Sequence, residues 1–198
     1  MGIMGTAWLI LKKDLLTELR TREVIATMAI FSVLVVVIFA FAFSVDETRG
    51  RLVSAGIVWV VVLFASTLGL SRIFDQERDN GGLVALCLSP AGPVAVYIAK
   101  VTAILLFSLL TELFTIPLML VFLGVSIPDG GVGLLSVALF LGTLGVAEIG
   151  TLFGGMLANA RMREVLLPLL VYPVTLPVII AGVELTEIAF GGGMPEAQ

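Results

Sequence analysis

After eleven uncharged residues the chain mixes apolar and charged positions to about residue 23 and then passes into long apolar runs separated by short charged stretches. Over 7–22, Trp8, Leu11, Leu15 and Leu19 recur at spacings of three and four, with Lys13, Thr17 and Arg20 on another face. This periodicity predicts an amphipathic interfacial helix within an N-terminal segment 1–23. A bilayer core of about 30 Å takes roughly 20 apolar residues per helix. Five windows of that kind follow, at about 24–45, 52–71, 96–125, 130–160 and 165–183, so 24–198 reads as one transmembrane domain. The predicted fold class is therefore all-α, a polytopic helical membrane protein with five visible spans. The first window follows a charged segment and leads straight into a hairpin with the second, unlike a cleavable signal peptide.

Composition agrees: 59% of the 198 residues are hydrophobic and 13% charged, with a mean hydropathy of +1.16. Soluble domains hold about 45–50% apolar residues, so a soluble globular protein is excluded. The net charge of -4 gives no basic surface for nucleic acid. The single cysteine, Cys87, excludes an internal disulfide framework, and the absence of histidine excludes a zinc triad, a catalytic His and a His ligand to haem. With the N-terminus cytoplasmic, Lys12, Lys13, Arg20, Arg22, Arg72, Arg78, Lys100, Arg161 and Arg163 are all inside, and only Arg49 and Arg51 are outside. Nine against two is the asymmetry that sets membrane orientation.

Between the second and third windows, Arg72, Asp75, Glu77, Arg78 and Asp79 crowd into eight residues. Asn80, Gly81 and Gly82 then break the helix, 83–88 is a short apolar helical piece, Ser89-Pro90 stops it, and Pro93 starts the next helix through Tyr97 and Lys100. An apolar piece in a charged connection asks for a partner surface. Within the spans, an ionised acid at the bilayer centre costs about 2.5–3.5 kcal/mol. Glu112 and Glu148 are expected to share a polar cavity and handle substrate or protons, to pair with a base on another chain, or to accept hydrogen bonds from hydroxyls such as Thr111, Thr115 and Thr151. Gly142, Gly145, Gly150, Gly154 and Gly155 give the fourth window a small-residue face, and Gly150 and Gly154 have the spacing for close helix packing, within the chain or between copies. Pro168, Pro173 and Pro177 predict kinks in the fifth. No GxxxxGK[ST] loop and no catalytic constellation is present, so the chain reads as non-enzymatic and energy from ATP would need a partner.

The order of elements, with Lys13-Asp14-Leu15-Leu16-Thr17-Glu18-Leu19-Arg20-Thr21-Arg22-Glu23, Phe74-Asp75-Gln76-Glu77-Arg78-Asp79-Asn80-Gly81-Gly82-Leu83, Leu88-Ser89-Pro90, Tyr97-Ile98-Ala99-Lys100 and Leu167-Pro168-Leu169-Leu170-Val171-Tyr172-Pro173, resembles the CcmB family over nearly the whole chain. The resemblance implies the permease subunit of a haem-exporter-like ABC complex of cytochrome c maturation in the bacterial inner membrane. Its implied partners are a CcmA-like ATPase, CcmC-like and CcmD-like membrane subunits and a CcmE-like periplasmic haem chaperone. It further implies that 72–93 is the coupling element on the ATPase, carried by Arg72, Phe74, Asp75, Glu77, Arg78, Asp79, Gly81, Gly82 and Leu83. The family has six spans, so the sequence is expected to end before a sixth. Two other functions compete: a proton-coupled secondary transporter using Glu112 and Glu148, and a non-transporting membrane scaffold. In each, the chain holds no cofactor directly and haem is at most cargo, since Met119 and Met156 are expected to fill packing gaps rather than ligate iron.

Overall fold

The computed structural model describes residues 2–43, 47–79, 92–128, 130–158 and 160–191, with side chains left out at 47–52, 78 and 79. Six helices are present among the described residues: α1 (Ile3–Thr21), α2 (Glu23–Phe43), α3 (Glu47–Asp79), α4 (Gly92–Phe122), α5 (Gly131–Met156) and α6 (Arg163–Ala189). The last five are long and apolar enough to span a bilayer. Their outward faces carry exposed Ile30, Phe41, Leu113, Val121, Leu141 and Leu169, a surface suited to the bilayer interior or an apolar partner rather than to water. The protein is a helical multi-pass membrane protein.

The helices outrun the apolar windows. α3 continues through Arg72, Asp75 and Glu77, and α6 passes Glu184 and ends at Ala189. In α3 the added charges Asp75 and Glu77 have partners within the chain, which a hydropathy window does not register. The three prolines of α6 and Pro117 of α4 lie inside continuous helices, where flanking packing tolerates the freed carbonyls.

α3 is the central helix: 67% of its apolar window is buried, against 22% for α6. It packs on α2, α4, α5 and α6. Large side chains of α3 seat in the glycines of its neighbours. Trp59 is fully buried and lies against Gly142 and Gly182, with its Nε1 donating to Thr186 Oγ1 at 3.0 Å. Leu70 meets Gly150 and Phe74 meets Gly154. The Gly150–Gly154 face therefore packs inside the chain. Gly145 faces Val178, whereas Gly155 has open space around it.

A Cβ on Gly142 would sit 1.9 Å from the Trp59 ring, so Gly142→Ala forces the indole to move and is expected to cost about 1–3 kcal/mol. Gly155→Ala, with nothing within 4 Å, should be neutral or slightly stabilising. Thermal unfolding of the two variants in one detergent checks the contrast.

α1 packs along α4 and touches the start of α2. It buries Ala7, Ile10, Leu11 and Glu18 and leaves Trp8 62% and Leu19 71% exposed. Of the apolar stripe, Leu11 is turned inward and Trp8 and Leu19 outward, while Glu18 is turned in toward the start of α2.

Candidate functional site

The polar chemistry gathers at one end of the bundle, where α1, the start of α2, the end of α3 and the starts of α4 and α6 meet. Glu77 accepts a hydrogen bond from Lys100 Nζ at 2.6 Å and one from Lys13 Nζ. Lys100 also reaches Asp14 Oδ2 at 2.8 Å, and Lys13 lies 3.2 Å from Asp14 Oδ1. Lys100 is 1% and Glu77 5% exposed. Two bases and two acids, drawn from α1, α3 and α4, form a charge-neutral cluster that the low-dielectric surroundings make tight. Half-burial works against the charge on Lys13, but the hydrogen bond to Glu77 and the field of Asp14 outweigh it and hold its pKa above the ordinary lysine value.

A second contact joins α3 to α6. Arg163 Nη1 donates to Asp75 Oδ1 at 3.1 Å and Nη2 to the Ser71 carbonyl at 2.8 Å, while the guanidinium lies 5.3 Å from the centre of the Phe74 ring. On the α2 side, Gln76 Nε2 reaches Glu23 Oε2 at 3.5 Å, and Arg72 lies 3.8 Å from Glu23. Four consecutive residues of α3 thereby engage all five other helices: Phe74 packs on Gly154 of α5, and Asp75, Gln76 and Glu77 bond to α6, α2, and α1 with α4. This spread follows from helical geometry: at about 100° per residue, four neighbours point around most of the circumference.

Glu18 organises the α1–α2 corner. Its carboxylate accepts from the Val24 and Ile25 amides at 3.2 and 2.8 Å, supplying charge to the N-terminus of α2, while the Arg22 amide bonds to the Glu18 carbonyl at 2.7 Å. Arg22 is left-handed at φ 56, a strained conformation for a residue with a Cβ. Sequence inspection passes over Glu18 because it falls on no apolar stripe; its signal is an acid just before a new helix start.

The two intramembrane acids do not share a cavity. Glu112 is buried, and its Oε1 accepts from Thr143 Oγ1 at 2.5 Å. The expected donors Thr111 and Thr115 turn instead to the carbonyls of Phe107 and Thr111, and Thr151 Oγ1 is buried with no hydrogen-bond partner. Glu148 is exposed on the outer face of α5, where Tyr97 donates to its backbone carbonyl at 3.2 Å. Five residues from Thr143 on α5, about 140° around the axis, it cannot face Glu112. Met119 is buried as a packing residue, but Met156 is 72% exposed and fills no gap. No group of three or more potential metal ligands occurs among the described residues. Of the expected coupling residues, Gly81 and Leu83 with Gly82, like Cys87 and 83–88, lie outside the described residues, as do the side chains of Arg78 and Asp79.

Comparison with known proteins decides the family. The profile of the family described as CcmB protein matches residues 5–197. The chain belongs to the CcmB family. Among its CcmB relatives, heme exporter protein B of Pseudomonas aeruginosa is 29% identical over 174 residues, covering 88% of this chain and 77% of that protein. Heme exporter protein B of Rhodobacter capsulatus is 29% identical over 178 residues, or 90% and 81% of the two chains. The Haemophilus influenzae protein of the same name is 28% identical over 180 residues, or 91% and 80%.

Proposed function

We propose that this chain is the permease subunit of an ABC-type haem-export complex in the bacterial inner membrane, driven by ATP hydrolysis on a separate, CcmA-like subunit. Membership of the CcmB family and the name heme exporter protein B carried by its relatives support the cargo class. The observation that carries the mechanism is the joining of the Phe74–Glu77 turn to α1, α2, α4 and α6 by polar side chains. That turn lies just before 80–91, the connection whose apolar piece asks for a partner. A force applied there by an ATPase reaches every helix packed on α3 without passing through a flexible joint. In this reading Asp75 and Glu77 are not the docking surface itself. They transmit, while Arg72, half exposed, and residues 78–88 meet the ATPase.

Haem is cargo, ligated by partner subunits such as CcmC-like and CcmD-like proteins and handed to a CcmE-like chaperone. The chain has no histidine, and Met119 is enclosed by the core. The outward placement of Glu148 removes support from the proton-relay alternative, which needs both acids on one path. The N-terminus and the charged end are cytoplasmic on the nine-to-two distribution of Lys and Arg.

Affinity purification of the tagged chain from gently solubilised membranes tests the assignment. A P-loop ATPase should co-elute in stoichiometric amount and withstand a second size-exclusion step. A chain that elutes alone or as a homo-oligomer, with no ATPase, would contradict it.

A further inference from the structure

Glu148 sits where a carboxylate should not be left to lipid. It is exposed on α5. Gly154, six residues further on, packs against Phe74, the ring beneath the Arg163 guanidinium. Glu148 therefore lies about 9 Å inward of the charged layer at the rise of an α-helix. Beside it the Tyr97 hydroxyl donates to its backbone carbonyl at 3.2 Å, and Leu152, one turn on, is exposed to hydrocarbon.

The same face of α5 continues through Leu152, 53% exposed, and Gly155 to Met156, 72% exposed. Together with Val94 and Tyr97 of α4 these line a fissure of about 480 Å³ between the two helices. Thr151 lines it too, 3% exposed and with its hydroxyl unpartnered. A groove with an apolar rim, the orphan Thr151 hydroxyl, Tyr97 and the already paired Lys100 in its wall, a glycine where a backbone can approach, and a carboxylate one turn beyond its lining has the features of a helix-docking site.

The charge decides what fills it. A second copy apposed on the same face would bring two Glu148 carboxylates together. Its bases offer no remedy: Lys100 is enclosed by Asp14 and Glu77, Arg163 is held by Asp75 and Ser71, Arg72 meets the first residue of α2, and the rest lie on α1, at helix ends or in connections. A lipid headgroup stays at the membrane surface, outward of this level. We infer that the α4–α5 fissure is the seat of a transmembrane helix from a different membrane subunit, one that carries a Lys or Arg facing Glu148 about 9 Å inside the charged layer. This surface is distinct from the connection after α3 and rests on the reading of the chain as one subunit of a membrane complex.

The test places a photoreactive residue at Leu152 in the full chain, expressed in its native membranes, with Val137, 53% exposed near the other end of α5, as the control position. Illumination should link the Leu152 position, and not Val137, to another polypeptide, and the linked peptide should map to a membrane span bearing Lys or Arg. Glu148→Lys should reduce the yield about tenfold, the equivalent of one lost charge contact, and reversing the partner's base to Glu should restore it. Glu148→Gln, which keeps size and polarity, should fall between and guards against a misfolded Lys variant. A product that is only a dimer of this chain, only a lipid adduct, a span without a base, or a yield unmoved by Glu148→Lys and Glu148→Gln alike would each overturn the proposal. Co-elution of the ATPase with no Leu152 product would sink this surface alone and leave the permease assignment standing.

Discussion

Lys100→Met is expected to be the most damaging single substitution in the charged end, lowering stability by about 3–5 kcal/mol, the usual cost of removing one partner from a buried ion pair. Lys100 is 1% exposed and neutralises Glu77 at 2.6 Å and Asp14 at 2.8 Å. Its loss leaves Lys13 alone against two acids, so one negative charge stays uncompensated between α1, α3 and α4. Adding Glu77→Gln restores neutrality, and the double variant should recover part of the loss even though two polar contacts have been removed. The readout is the temperature at which the purified protein loses its monodisperse peak in detergent. The single variant should fall well below wild type, with the double variant in between. Equal midpoints for all three would show that the cluster does not hold the helices together.

The same reasoning changes what charge reversal at the FDxE stretch means. The family resemblance implies that Asp75 and Glu77 belong to the coupling element on the ATPase. The structure gives both acids partners within the chain, Arg163 for one and Lys13 with Lys100 for the other. Reversal at either position therefore disturbs helix packing before it disturbs docking, and loss of an ATPase from such a variant would not locate the interface.

Much of the fold was legible because the hydrocarbon core imposes one rule, an uncharged run of about 20 residues per span, and each of the five runs is a helix. The glycine face of α5 was also legible as packing, though its partner was not. Nothing in the spacing of Gly142, Gly150 and Gly154 says that Trp59, Leu70 and Phe74 fill them. The polar site was less legible. Lys13, Asp14, Glu77 and Lys100 are far apart in sequence, and each alone resembles a surface charge. Only the antiparallel return of α4 along α3, with α1 laid against it, turns them into one buried cluster. The two span acids misled for the opposite reason: adjacent helices made a shared cavity plausible, but residue 148 lies on the other side of α5 from residue 143, which bonds Glu112.

With the transmitting turn and the docking segment assigned to different residues, the second large effect is on coupling. Leu83→Asp places a charge in the apolar piece 83–88 that is proposed to meet the ATPase, at a position that is not one of the polar-cluster residues Lys13, Asp14, Glu77 and Lys100. Burying a charge in an apolar interface costs several kcal/mol, enough to lower occupancy of the complex by a factor of about 100 or more. The decisive measurement is ATP hydrolysis by the ATPase assembled with wild-type or Leu83→Asp chain in proteoliposomes, alongside the thermal midpoint of each chain alone. The account predicts that the variant chain keeps its midpoint, fails to retain the ATPase and loses the hydrolysis that depends on the membrane subunit. A variant that keeps both the ATPase and the wild-type hydrolysis rate would contradict a permease driven through this connection.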